Sequence, residues 1–499
     1  MGKEQIVDNN KTQTTLSAEA VDSHELKKVI FNEIRAGAEP IAKTLNIENL
    51  YAVNEGFLGD FPWFHHIGLN TNAKTYNWVN NVFDYNKDNY IETNAGAFTT
   101  SYFNVLQDTQ YVLSAEDQMK LNAVVGANQV VVNTLITDFV TTQGPIPSPQ
   151  NKTLSSQLLY VMTEILTWGV PGLTLAQLQN STNPMSLLPN IPLGAGAIIN
   201  DLMTYLGNSS SVAGIQGAVT SNNAQLAQTK SNISPAPADL SPGWIQIVDG
   251  SGNTSIAPEI DFQESVANIQ NELLPRAGKG RTFSVEFLAT KLDSNQVQVS
   301  NSSSSGTGFI GFLFGASNSS GTSYNMFSFA ENLTSCEVKL EFNGVTKVTP
   351  SPFPYNISSA AGWWNPAPVK DAANPSNPPQ SGYQFSTKPQ FDFQTNGDFG
   401  FLSTIMISQQ PIIKLTYKNA SLSQFQQVFT QRKTWGTSFL GIPLAGGSNS
   451  SYTATASESQ DGTSVVVTMS PVENISPVSI QDNLAYVIGA EVFWMGAAS

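Results

Sequence analysis

Two of the chain's three histidines stand side by side as His65-His66, shortly after Asp60, a set of residue types that serves metal binding or general-base chemistry. Neighbouring side chains point apart on either a helix or a strand, so the two rings would not readily close on one ion. The third histidine, His24, falls in a helical stretch, and no serine or cysteine nucleophile motif is present to pair with it. A packing role is therefore expected for all three.

A second candidate is the run Asp84-Tyr85-Asn86-Lys87-Asp88-Asn89-Tyr90-Ile91-Glu92. Oxygen-bearing side chains at its first, third and fifth positions, an apolar residue at the eighth and a carboxylate at the ninth match the opening of an EF-hand calcium loop. That spacing would make Asp84, Asn86, Asp88 and Glu92 a weak calcium candidate. Ala95 stands where the bidentate glutamate belongs, so an Asx-rich turn without a metal is the expected reading. No other cofactor is implied.

Aromatic residues offer a third kind of site. Residues 57–90 hold Phe61, Trp63, Phe64, Tyr76, Trp78, Phe83 and Tyr85 among Asn and Gly, and Trp363-Trp364 sits in a Pro-rich insert at 350–389. Trp63, Trp78, Trp363 and Trp364 are candidates for stacking on sugar rings. The competing reading of the 57–90 segment is an irregular piece of core, and the insert is a long loop of the kind that carries binding function. A fourth candidate is apolar and uncharged. Phe309, Ile310, Phe312, Leu313 and Phe314 lie between two Ser/Asn-rich tracts within residues 301–326. Such a run can insert into a membrane or join a second copy without burying a charge, or it can be a sandwich strand between surface loops, which is the expectation here.

The elements that must position these residues fall into two groups. Helical spacing is expected at 18–36, with Leu26, Val29, Ile30 and Ile34 on one face and Gly37 and Pro40 as the stop. A long helix begins at Ser114, followed by Asp117 in capping-box fashion, and ends at Gly144-Pro145. Further helices are expected at 154–168 and at 195–206, the latter stopped by Gly207. Both are nearly free of charge. The small, polar residues 209–234 and the Pro-rich 235–242 read as a boundary. The predicted division is a mainly helical domain at 1–230, a linker at 231–243 and an antiparallel β-sandwich-like domain at 244–499, an α+β protein.

The β half is organised around residues 398–417. Residues 401–407 are apolar at nearly every position, which suits a strand covered on both faces. After Pro411, Ile413, Leu415 and Tyr417 alternate with Lys414, Thr416 and Lys418, which suits a half-exposed strand. Hairpins are predicted across Asn343-Gly344 and across Asp461-Gly462.

Composition narrows the function classes. Only 12% of residues are charged, about half the usual fraction, so the surface must be made mainly of neutral polar groups. The net charge of −15, with no cluster of Lys and Arg, argues against a nucleic-acid partner. The single cysteine, Cys336, rules out an internal disulfide. The N-terminus has no apolar core of the kind a secretory signal needs, so synthesis in the cytoplasm is expected, with release by a non-classical route as the way out. No P-loop, G-x-S-x-G, H-E-x-x-H or Rossmann fingerprint occurs, and a non-enzymatic protein is expected. Carboxylate-based catalysis stays open, because it has no local signature.

The order of helical bundle then β-sandwich, with uncharged apolar helices, is broadly similar to that of several bacterial pore-forming toxins. This resemblance implies a β domain that docks on a membrane or glycan surface and helices that insert. The alternatives are a self-assembling homo-oligomer or particle subunit, and a glycan-binding or carbohydrate-active protein.

Overall fold

The computed structural model describes residues 9–53, 61–87, 89–233, 240–274, 280–292, 296–301, 305–309, 333–374, 380–423, 425, 438–439, 442–443, 452–471 and 484–496. They form an α+β fold of helices and several mainly antiparallel sheets. Two compact units result. One comprises Met1–Gln107, Thr229–Pro366 and Lys388–Ser499; the other comprises Asp108–Gln228 and Ala367–Thr387. The expected division at 231–243 follows the chain in sequence, whereas these units are interleaved. N-terminal segments supply strands to the β-rich unit, and a short piece of the late insert joins the helical one.

The β-rich unit holds two seven-stranded sheets. In one, the strands run in the order Ser305–Phe309, Gln296–Ser300, Phe283–Lys291, Ser335–Phe342, Ile412–Lys418, Ser464–Pro471 and Tyr452–Glu458. Its residues alternate as expected: Val285, Phe287, Val338, Leu340, Ile413, Leu415, Val465 and Val467 are buried. The opposite face carries ion pairs between strands, Lys339 with Glu286 at 2.8 Å and Lys414 with Glu341 at 2.8 Å. In the other sheet, Gly400–Ser408 lies between Leu484–Trp494 and the Asn81–Tyr85/Tyr90–Ala97 hairpin. Gly400–Ser408 is covered on both faces. Met406 joins the core shared with the first sheet, and Phe401 meets Phe98 at 4.6 Å and Trp364 at 5.9 Å.

Helix α1 (Asn9–Thr44) packs Leu26, Ile30, Phe31, Ile34, Ala38 and Ala42 into that shared core. It does not stop at Gly37 and Pro40. A Cβ at Gly37 would lie 2.6 Å from Val285 Cγ1, so the glycine serves close approach to the sheet rather than termination. The ion pairs of Glu39 with Arg35 and Lys43 support the last turns. Two short helices follow, α2 (Ala73–Val79) and α3 (Phe98–Gln107).

The Asp461-Gly462 hairpin forms as expected, with Tyr452–Glu458 antiparallel to Ser464–Pro471. The one expected at Asn343-Gly344 does not. Gly344 adopts φ +64°, but Thr346–Val348 pairs with Gly400–Ser408 and so carries the chain from one sheet to the other. Val345, Thr346 and Val348 are all buried, which a half-exposed hairpin arm would not allow.

The second unit is built on α4 (Ala115–Gln143), α5 (Leu154–Thr167), α6 (Leu175–Asn180) and the part of α7 (Gly196–Ile233) that ends at Gln228. Ser114 Oγ accepts from the Asp117 N–H at 3.0 Å, and Thr153 and Ser156 complete a capping box, so both starts are set locally. Phe139, Leu135, Val161, Ile165, Ile198, Leu202 and Leu206 form the core. Helix α7 runs straight through Gly207 and through the polar residues read as a boundary. Ser210 and Ser211 hydroxyls donate back to the Gly207 and Asn208 carbonyls, and Val212 and Leu226 are buried beyond them. The burial of those apolar residues outweighs the roughly 1 kcal/mol that a helical glycine costs. A two-stranded sheet, Thr109–Val112 with Gly382–Phe385, and the short helix α9 (Ala367–Ala372) belong to this unit, while α8 (Val266–Leu273) belongs to the β-rich one.

Candidate functional site

The two adjacent histidines lie just before and within the strand His66–Ile67, which turns into Asn70–Asn72. Their partners come from the strand Ile260–Phe262, nearly two hundred residues later. His65 is 1% exposed and stacks on Phe262 with ring centroids 4.5 Å apart. Its Nε2 lies 2.9 Å from the Glu264 carbonyl oxygen, which can only accept, so Nε2 carries the proton; Nδ1 is buried without a partner among the described residues. His66 Nε2 lies 3.3 Å from Asp261 Oδ1. Burial, then the neighbouring His66, holds the His65 ring down to about 4, while the hydrogen bond to Asp261 raises that of His66. Asp60 lies outside the described residues. His–Asp contact across so long a separation has no sequence signal.

The calcium candidate is a β-hairpin rather than a helix-flanked loop. Asp84 and Glu92 are cross-strand partners, and Asn86 Nδ2 donates to Glu92 Oε1 at 2.9 Å, so two of the proposed ligands bind each other. Lys87 and Asn89 take positive φ, as Asx-rich turns do. Burial, then Asp398 and Glu92, raises the Asp84 carboxyl. Asp88 lies outside the described residues. Among the described residues no group of three or more His, Cys, Asp or Glu is placed to hold a metal ion.

The tryptophans proposed for sugar stacking belong to the core. Trp63 is 3% exposed, Trp78 6% and Trp363 0%. Trp363 Nε1 donates to the Glu259 carbonyl at 3.1 Å. Trp364 is half-buried in a cluster with Phe98, Tyr102, Phe401 and Phe493. Trp63, Trp78 and Trp363 are thus enclosed and have no face left for a ligand, while Trp364 keeps part of its surface exposed. Of the apolar run, Phe309 closes the strand Ser305–Phe309; Ile310, Phe312, Leu313 and Phe314 lie outside the described residues.

What reading by motif missed is a surface. In α4 no residue between Lys120 and Asp138 is charged, and in α7 none between Asp201 and Lys230. Leu121, Val124, Asn128 and Val131 are half-buried, and Asn128 Nδ2 donates to Ser209 Oγ of α7 at 3.0 Å. The opposite face of α4 is open, with Met119 65% and Val130 66% exposed beside exposed Ala123, Gly126 and Ala127, and Val125, on the flank, is 56% exposed. Leu159 of α5 is 67% exposed. Uncharged composition was the available signal; which face stays bare was not readable from it. Asp201, faced by Asp138, has its carboxyl raised mainly by burial.

No family model, curated protein or solved structure matches this chain.

Proposed function

We propose that this is a non-enzymatic, self-associating structural protein, a homo-oligomer or particle subunit, in which the helical unit makes contact between copies. The observation that supports this most is the open face of α4, where Met119, Val125 and Val130 are exposed on a helix uncharged over seventeen residues. Exposed apolar side chains gathered on one uncharged helix suit a place of association. Neutral amides suit a protein contact, because Asn122, Gln129 and Asn133 can be paired across it without desolvating a charge.

A second reading has its own observation. Helix α4 is long and apolar enough to cross a membrane by length and composition, with 22% of its most apolar window buried. In this reading the protein is pore-forming-toxin-like, docking on a membrane or glycan surface before the helices insert. Four amides within the uncharged residues 121–137, Asn122, Asn128, Gln129 and Asn133, weigh against it, since each would need a partner in hydrocarbon.

Multi-angle light scattering on the full chain separates the two. Self-association predicts a uniform assembly whose mass falls to that of the monomer in Val125→Glu/Val130→Glu, with the melting temperature held. Dye release from lipid vesicles by a protein that stays monomeric in solution would overturn it in favour of the membrane reading.

A further inference from the structure

We propose that His65 and His66 form an acid-sensitive latch that joins the Ile260–Phe262 strand to the His66–Asn72 hairpin near neutral pH and releases it on acidification. Three contacts between the two segments run through these two side chains: the His65 ring on Phe262, His65 Nε2 on the Glu264 carbonyl, and His66 on Asp261. The charge count makes the device. Hydrogen bonding to the Asp261 carboxylate favours the imidazolium at His66. The His65 ring lies 4.6 Å from the His66 ring, and a proton on it would place two imidazolium groups beside that single carboxylate. The new N–H at Nδ1 would also face no acceptor among the described residues, at a residue that is 1% exposed.

Among the described residues, the surrounding ionisable groups do not supply the missing charge. Glu264 turns its carboxylate to the Thr349 N–H at 2.7 Å and hydroxyl at 2.8 Å. The Glu259 carboxyl is itself raised by burial and by Asp261. The direction of the pH effect follows from the shifts. His65 has its folded pKa depressed to about 4 from about 6.5, so its contribution to stability is present above 6.5 and lost as pH falls from there toward 4. His66 is raised, so its contribution is fully present below 6.5 and does not offset the loss in that window. Asp261 is lowered, so its contribution also holds across the window.

Hydrogen–deuterium exchange on the full chain, corrected for intrinsic rates, tests this at pH 7 and pH 5. Peptides covering 63–72 and 258–264 should lose protection by about 20-fold on acidification, the linkage expected of one group titrating at 4 folded and 6.5 unfolded. The Ser464–Pro471 strand should hold its protection. His65→Gln keeps an amide N–H for the Glu264 carbonyl but cannot take a proton, and should abolish the local loss. Equal loss in that variant, or no loss in the wild type, would overturn the latch. Should the variant not fold, histidine-detected NMR of the wild type decides: one ring titrating below pH 6 is expected, and three titrating at or above 6 refute the proposal.

Discussion

Leu415 sits at the middle of the Ile412–Lys418 strand, fully buried, with Val338 opposite it on one neighbouring strand and Val467 on the other. Replacing it with alanine removes three carbon atoms. At about 0.8 kcal/mol per buried carbon, the lost transfer free energy is about 2.4 kcal/mol. The flanking valines are stiff at χ1 and held by their own strands, so the site closes little and the cavity left behind brings the total to about 3–5 kcal/mol. The next residue, Thr416, points to the other face and is half-buried between Glu337 and Val466. Thr416→Ala should cost no more than about 1 kcal/mol. Urea unfolding of the two variants, with midpoints compared at matching slopes, measures the difference. A gap of at least about 2 kcal/mol between neighbours is expected from strand alternation in a sheet with one buried face. Equal losses at both positions would refute that reasoning, because period two allows one of them inside and one outside.

The same logic extends to the helical unit and the acidic hairpin. Gly207 has nothing within 4 Å of where a Cβ would stand, and it lies inside α7 rather than at its end. Gly207→Ala should therefore stabilise by about 0.5–1 kcal/mol, whereas a loss on thermal unfolding would show that the helix stops there. Asp84 is pushed up by burial and by Asp398 and Glu92, so its charged form is penalised in the fold at neutral pH and the penalty fades as pH falls through its raised pKa. Asp84→Asn should be at least as stable as the wild type at pH 7, with any gain disappearing toward the carboxylate range. Millimolar calcium should leave the wild-type melting temperature within about 1 °C; a rise that is absent in Asp84→Asn would establish the calcium site instead.

The sequence by itself determined the parts of the fold that depend on a repeating pattern or a local hydrogen bond. The strand at 400–408 was readable because apolar residues at successive positions require cover on both faces. The one at 412–418 was readable because its polar residues, Lys414, Thr416 and Lys418, fall on every second position. Ser114 announced α4, since its hydroxyl satisfies a backbone N–H that the helix itself cannot. Glycine and proline were read too strictly. At Gly207 a backbone preference of about 1 kcal/mol competes with the burial of Val212 and Leu226 further along the same helix, and burial wins; at Gly37 and Pro40 it competes with the close approach of the helix to the sheet and the burial of Ala38 and Ala42. At Asn343-Gly344 the turn was foreseen and its destination was not, because a turn sets the local angles while the strand it leads to is chosen by which sheet can cover Val345, Thr346 and Val348. Contacts between distant segments were decided only by the tertiary structure. His66 meets Asp261, Asp84 meets Asp398, and Trp364 meets Phe98 and Phe493. Nothing in the spacing of those residues records the meeting, since each pair is brought together by the packing of whole strands and helices whose stability comes from other residues.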